Sequence, residues 1–221
     1  MKSELETAAS NIVRSMHSRL QSNGIRIHEG SSSVHQIADL MHMAEDESIE
    51  RIAEVGFHAG LSSFAFLGAN KRATVTSFDI GFHECVPRAK EFVDEEFPGR
   101  HELVIGDSGR TLPTYREFHP DAAFDLVFVD GGHSLDEARS DIENLVRMCR
   151  KGAKIIMDDI VPEWPWGVGP TEAWEKATAS GKVREIARHF AEPSTDVFLN
   201  LLAPGPETRP VSHCWAIGVV Q

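Results

Sequence analysis

The stretch that most constrains this chain is residues 49–60, I-E-R-I-A-E-V-G-F-H-A-G, followed by Leu61, Ser62 and Ser63. Ile52 and Val55 are apolar, and Glu54 places a carboxylate where a strand would end. Gly56 and Gly60 bracket three residues ahead of an apolar, helix-compatible run, Phe64-Ala65-Phe66-Leu67. A strand, a glycine turn and a helix in that order make a corner able to cradle a nucleotide. The glycines let the backbone bend and a ligand approach, and the helix start presents free N–H groups. The pattern differs from the dinucleotide fingerprint G-x-G-x-x-G. Glu54 ahead of the turn would repel a pyrophosphate and welcome a cationic ligand end, such as an amino-acid ammonium. By itself the spacing also suits an ordinary strand-to-helix turn.

Behind this corner, strand and helix alternate. Residues 73–80 are β-rich and carry Asp79 at the end, where a carboxylate can accept hydrogen bonds from both hydroxyls of a ribose. A helix over 86–96 leads to a short strand at 102–108 that runs into Asp107 and Ser108. The apolar run 124–130 ends in Asp130, followed by Gly131-Gly132-His133-Ser134. An amphipathic helix is expected over 135–150, with Gly152 as its stop. The run 153–160 contains Asp158-Asp159. Strands that finish in carboxylates at one edge predict a doubly wound sheet, with ligands at the carboxyl ends. Residues 161–170, with Trp164 and Trp166, read as an aromatic loop, either a substrate wall or packing on the sheet. A helix from about 171, a strand over 183–190, an insertion at 191–211 and a final strand over 214–220 complete the domain.

Ahead of the corner, residues 1–20 carry Ile12, Val13, Met16 and Leu20 at helical spacing, and a second helix is expected around Val34, Ile37, Ala38 and Met41. Residues 1–48 thus form a helical segment, a lid, a dimer contact or plain packing, before a domain at 49–221. The stripe on the first helix favours a homo-oligomer, in the first place a dimer.

A chain of 221 residues, 41% hydrophobic, suits one α/β domain. Its net charge of -12 opposes nucleic-acid backbones and anionic membrane surfaces. Three scattered cysteines and the lack of a signal peptide or membrane span fit a reducing cytoplasm.

These ordered motifs resemble the class I S-adenosylmethionine-dependent methyltransferases over about residues 49–220. The resemblance implies a Rossmann-like, doubly wound seven-stranded sheet, mostly parallel with an antiparallel last strand, with helices on both faces. It implies that Glu54, Gly56 and Gly60, with Phe57, His58 and Ser62 of the turn, hold the methionine part of S-adenosylmethionine. Asp79 would take the ribose, and Asp107 and Ser108 would flank the adenine. No aromatic residue follows Asp79, which leaves the adenine wall unassigned. More narrowly, the chain resembles metal-dependent O-methyltransferases of catechols and natural-product sugars. Their ligand positions correspond here to Asp130, Asp158 and Asp159. Three carboxylates at adjacent strand ends would repel one another unless a divalent cation joined them, and all-oxygen ligation favours magnesium. His133 is the expected general base and Asp130 its neighbour at the metal and cofactor; His58 is the competing base. The expected reaction is methyl transfer to a hydroxyl of a small polyhydroxylated molecule. A non-catalytic cofactor-binding protein, a metal-independent methyltransferase and, less well supported, a nicotinamide dehydrogenase are the alternatives.

Overall fold

The computed structural model describes residues 2–27, 32–191 and 213–221. Among the described residues seven strands form one sheet in the order β3-β2-β1-β4-β5-β7-β6. They are β1 (Arg51–Val55), β2 (Thr74–Asp79), β3 (His101–Ile105), β4 (Phe124–Val129), β5 (Cys149–Met157), β6 (Val183–Ala191) and β7 (His213–Val220). All pairings along β3-β2-β1-β4-β5 are parallel, and β7 runs antiparallel to both of its neighbours. The strand order reverses between β1 and β4, and a crevice opens there at the carboxyl ends, where ligands of such sheets bind. The helices are α1 (Lys2–Ser22), α2 (Val34–Ala44), α3 (Leu61–Ala69), α4 (Cys85–Glu96), α5 (Ser108–Phe118), α6 (Leu135–Val146) and α7 (Val168–Ala179).

Two apolar layers sandwich the sheet. On one face Ile52, Leu126 and Phe128 pack with residues of α1 to α4; on the other Val127, Val129 and Ile155 pack with residues of α5 to α7. The period-two alternation of β4 sends neighbouring residues to opposite layers, so a strand buried on both faces reads as one apolar run. Local signals set the helix starts. Ser33 accepts the Gln36 N–H at 3.1 Å to cap α2, and Ser134 with Glu137 forms a reciprocal capping box on α6.

Three expectations need correction. The helix expected over 135–150 ends at Val146, and Gly152 lies inside β5 with φ +85°, not at a helix stop. There the β4–β5 register jumps from Phe124↔Cys149 to Leu126↔Lys154, so residues 150–153 bulge opposite Asp125. Asp125 anchors the bulge by pairing with Arg150, while its other oxygen accepts the backbone N–H groups of Glu50 and Arg51 at 2.8 and 2.9 Å. Second, residues 108–118, left without an element, form α5 despite Pro113 within it. Third, the apolar stripe of α1 is used inside the chain: Ile12, Met16 and Leu20 are buried in the layer shared with α2, α3 and α4. That stripe therefore no longer argues for a dimer. Asp39 of α2 also pairs with His189 of β6, which docks the N-terminal helices onto the sheet. The insertion expected at 191–211 lies outside the described residues beyond Ala191.

Candidate active site

Gly56 has no alternative at its position. Its φ is +93°, and a Cβ built there would sit 1.8 Å from the Asp130 carbonyl oxygen. The close approach of β1 and β4 that this permits is tied by the Asp130 N–H bonding to the Val55 carbonyl at 2.9 Å. Gly60, with φ +72°, caps α3 without a side chain and packs against the Phe57 ring. Between them His58 takes a left-handed φ of +45°, a strained value for a residue with a side chain.

Asp79 holds this turn in place. One of its oxygens accepts the N–H groups of Phe57 and His58 at 2.8 and 2.9 Å, and the other accepts that of Gly81 at 2.7 Å. The carboxylate expected to bind a ribose is thus already engaged by backbone, although it also lines the cavity.

The cavity has a volume of about 540 Å³. It brings together the turn residues Gly56, Phe57, His58 and Ser62 with Asp79, Asp107, Ser108, Asp130 and His133. They lie at or just beyond the carboxyl ends of β1 to β4, with Ser62 and Ser108 in the first turns of α3 and α5, whereas Asp158 and Asp159 are off the cavity wall. His58 meets His83 edge-on at 4.7 Å on the same wall. Ile80 lines the cavity and is 67% exposed; Ile105, 54% exposed, abuts the Gly81 backbone beside it. Together they offer an aliphatic surface where an aromatic residue was missing from the sequence.

Two expected cofactor residues lie differently. Gly60 is beneath the turn, and Glu54 is fully buried behind it, so neither is on the cavity wall. Asp141 of α6 was missed altogether. It is fully buried below Gly131 with neither oxygen in a formed hydrogen bond, and burial pushes it up to about 6. In sequence it reads only as one more acid of an amphipathic helix. Trp164 and Trp166 stack on each other at 5.0 Å and pack on the α5–α7 layer, the packing alternative for that loop.

The acceptor side is electrostatically crowded. Burial, then the charges of Asp158 and Asp159, hold the Asp130 carboxyl well above its usual range. Burial and Asp159 push Asp158 up to about 7. Asp159, at φ +57°, turns its carboxylate to His133, with Oδ2 2.9 Å from Nε2, and this contact raises the histidine above its ordinary value. The donor chemistry fits a hard divalent cation, since buried carboxylates that repel one another gain most from one. The placement does not gather them: among the described residues no three acidic, histidine or cysteine side chains converge as a metal site. Gln36 of α2 lies fully buried beside Asp158, its amide atoms lacking a formed hydrogen bond.

An acid whose pKa is higher folded than unfolded makes the native state bind more protons, so it costs stability as pH rises between the two values. For Asp158 that window runs from 3.8 to about 7. His101 and His213, held below the usual histidine value by burial, act in the opposite direction, so a comparison isolates the acid. Asp158→Asn should gain stability relative to the wild-type apoprotein between pH 5.5 and 8, by several degrees of Tm. A Tm difference that stays constant across that range would contradict the assignment.

The fold is the Rossmann-like methyltransferase fold. Residues 53–160 match the family model of a methyltransferase domain. Among solved structures, an O-methyltransferase from Bacillus cereus in complex with SAH aligns with a TM-score of 0.68 at 15% identity, covering 95% of this chain and 90% of that one. The O-methyltransferase of tomaymycin synthesis from Streptomyces achromogenes, in complex with SAM, aligns with a TM-score of 0.69 at 17% identity, covering 95% and 89%. A TDP-rhamnose 3'-O-methyltransferase of calicheamicin biosynthesis aligns with a TM-score of 0.58 at 18% identity, covering 97% and 93%. At these identities the likeness is one of fold. No helix among the described residues is long and apolar enough to cross a membrane.

Proposed function

We propose that this chain is an O-methyltransferase that moves the methyl group of S-adenosylmethionine to a hydroxyl of a small polyhydroxylated molecule, a sugar moiety or a catechol-like natural product. The observation that carries this reading is the cavity between the glycine turn and Asp130, with His133 on its wall. Its two ends suit two ligands. The turn, with Ser62, Asp79, Asp107 and Ser108, suits the amino-acid and nucleoside parts of the cofactor, and Ile80 with Ile105 suits the adenine face. The solved O-methyltransferases that hold SAM or SAH on the same fold support this half. The sugar-modifying relative supports a hydroxylated acceptor.

Asp130, Asp158 and Asp159 would hold a divalent cation, magnesium in the first place. Bound there, it supplies Lewis acidity that lowers the pKa of an acceptor hydroxyl. The chain's own residues do the rest. The turn fixes the donor so that the acceptor oxygen attacks the methyl carbon as the carbon–sulfur bond breaks. His133 takes the hydroxyl proton on its imidazole. A second reading rests on the His133–Asp159 contact: the pair alone, with Asp159 orienting the neutral imidazole and stabilising the imidazolium it becomes, removes the proton without a metal.

Thermal unfolding separates the two. With a metal site, millimolar magnesium should raise the Tm of the wild-type apoprotein more at pH 8 than at pH 5.5, where Asp158 carries its proton, and not that of Asp158→Asn. No shift at either pH, together with full turnover in excess chelator, would discard the metal and leave the histidine–aspartate pair.

A further inference from the structure

Glu54 belongs to a buried polar chain that methyl transfer as described does not use. Its Oε1 accepts hydrogen bonds from Ser63 and, at 2.6 Å, from Ser77. The same two hydroxyls lie 3.2 and 2.8 Å from His101 Nε2. His101 in turn stacks under the Phe57 ring at 4.9 Å, which connects the chain to the glycine turn. Oε2 of Glu54 is buried without a formed partner. Ser62 is the link outward: its hydroxyl faces Glu54, and the residue lies on the cavity wall.

The charges around Glu54 are few. From β2 comes Asp79 and from the end of β4 Asp130, both cavity residues that sense or are sensed by its charge. From β3 comes His101, which burial pushes down to about 3 and so keeps neutral, with Lys90 and Asp94 beyond it. From α3 come only the hydroxyls of Ser62 and Ser63. Among the described residues no cation compensates the Glu54 carboxylate, and burial pushes it up to about 7.

We propose that Glu54 is the charge-selecting residue of the cofactor site: acting across Ser62 without touching the ligand, its ionised form favours the sulfonium donor over the thioether product. The inference rests on the cofactor reading above. Charge balance gives the step its sense. When the methyl carbon leaves, sulfur keeps the electron pair of the broken bond and the site loses one positive charge. A proton from solvent then adds to Glu54, and the neutral carboxyl no longer has a cation to hold. Donor is retained and product released by one group, because a charge in a low-dielectric wall is felt across the cavity with little screening.

Calorimetry with two probes tests this: S-adenosylhomocysteine, and sinefungin, which carries an amine cation in place of the sulfonium. In the wild type the preference for sinefungin should grow about tenfold between pH 6 and 8, the equivalent of one pKa unit of stabilised carboxylate. Glu54→Gln should keep the low-pH preference at every pH. Ser77→Ala, which removes a hydrogen bond that favours the ionised form, should move the midpoint of the wild-type curve to higher pH. The Ser77 variant also keeps the test decisive should Glu54→Gln not fold. A wild-type preference that does not change with pH, a pH dependence that persists in Glu54→Gln, or a midpoint unmoved in Ser77→Ala would each overturn the inference. Binding of both probes with a flat ratio would remove it alone; binding of neither would remove the cofactor reading and the inference with it.

Discussion

Gly56→Ala should weaken S-adenosylhomocysteine binding by about 100-fold, on the order of 3 kcal/mol. Two costs combine. A side chain at φ +93° costs on the order of 1–2 kcal/mol by itself. The added Cβ, 1.8 Å from the Asp130 carbonyl, cannot be accommodated by a rotamer change because its neighbour is backbone. The ends of β1 and β4 must move apart, and that displaces both the turn and Asp130 from the cavity wall. Calorimetry reads the affinity, and circular dichroism checks that the sheet survives. Gly60→Ala makes a useful contrast. At φ +72° it carries a similar backbone cost, but the atoms nearest its Cβ are the Phe57 ring and a Val93 methyl at 3.0–3.3 Å, side chains that can shift by tenths of an ångström. A Gly56→Ala protein that folds and binds as tightly as wild type would show that the strand ends need not approach closely for the ligand to bind.

What was legible in the chain follows from which physical signals are local. The strands announced themselves because runs such as residues 124–129 are apolar throughout, as burial on both faces requires. Hydrophobic spacing and the turn glycines located most of the helices. The bulge in β5 was not legible, since Arg150-Lys151-Gly152 looks the same whether it ends a helix or protrudes from a strand. Only the pairing with Asp125, distant in sequence, decides between them. Pro113 hid α5 in a similar way, because a proline that breaks a free helix is tolerated where packing of Leu112 and Tyr115 supports it.

The site divides along the same line. That acids would stand at the strand ends was readable from spacing, and the cavity does collect Asp79, Asp107 and Asp130. Which way each carboxylate points was not. In a strand, neighbouring residues face opposite sides, so Glu54 and Val55 cannot both meet the ligand, and the sequence does not say which does. The structure sends Glu54 to the serines of α3 and β2 and gives the cavity to Val55. Asp79 was assigned by its position, while its three backbone N–H partners depend on how the turn folds back over β2. Gln36 and Asp141 were invisible because nothing in their own helices distinguishes a buried amide or acid from an exposed one.

The remaining large effect concerns the proton. His133→Ala should lower kcat by roughly 10²-fold or more, the usual contribution of a general base, with the KM for S-adenosylmethionine little changed. The imidazole is half exposed on the cavity wall, open to a bound hydroxyl. Its charge state sets the pH dependence. Asp159, through its hydrogen bond and its charge, raises the histidine above its ordinary value. A base must be neutral, and the wild-type rate should therefore climb with pH through that raised value. The alanine variant should lack this limb and recover part of the lost rate only at high pH, where the acceptor hydroxyl ionises unaided. His58→Ala serves as the comparison, since His58 lies beside His83 on the cofactor side of the same cavity. Initial rates from pH 6 to 9.5 with an acceptor found by product-mass screening settle the assignment. A His133→Ala enzyme with the wild-type rate and the wild-type limb, beside a His58→Ala enzyme that has lost both, would transfer the base role to His58.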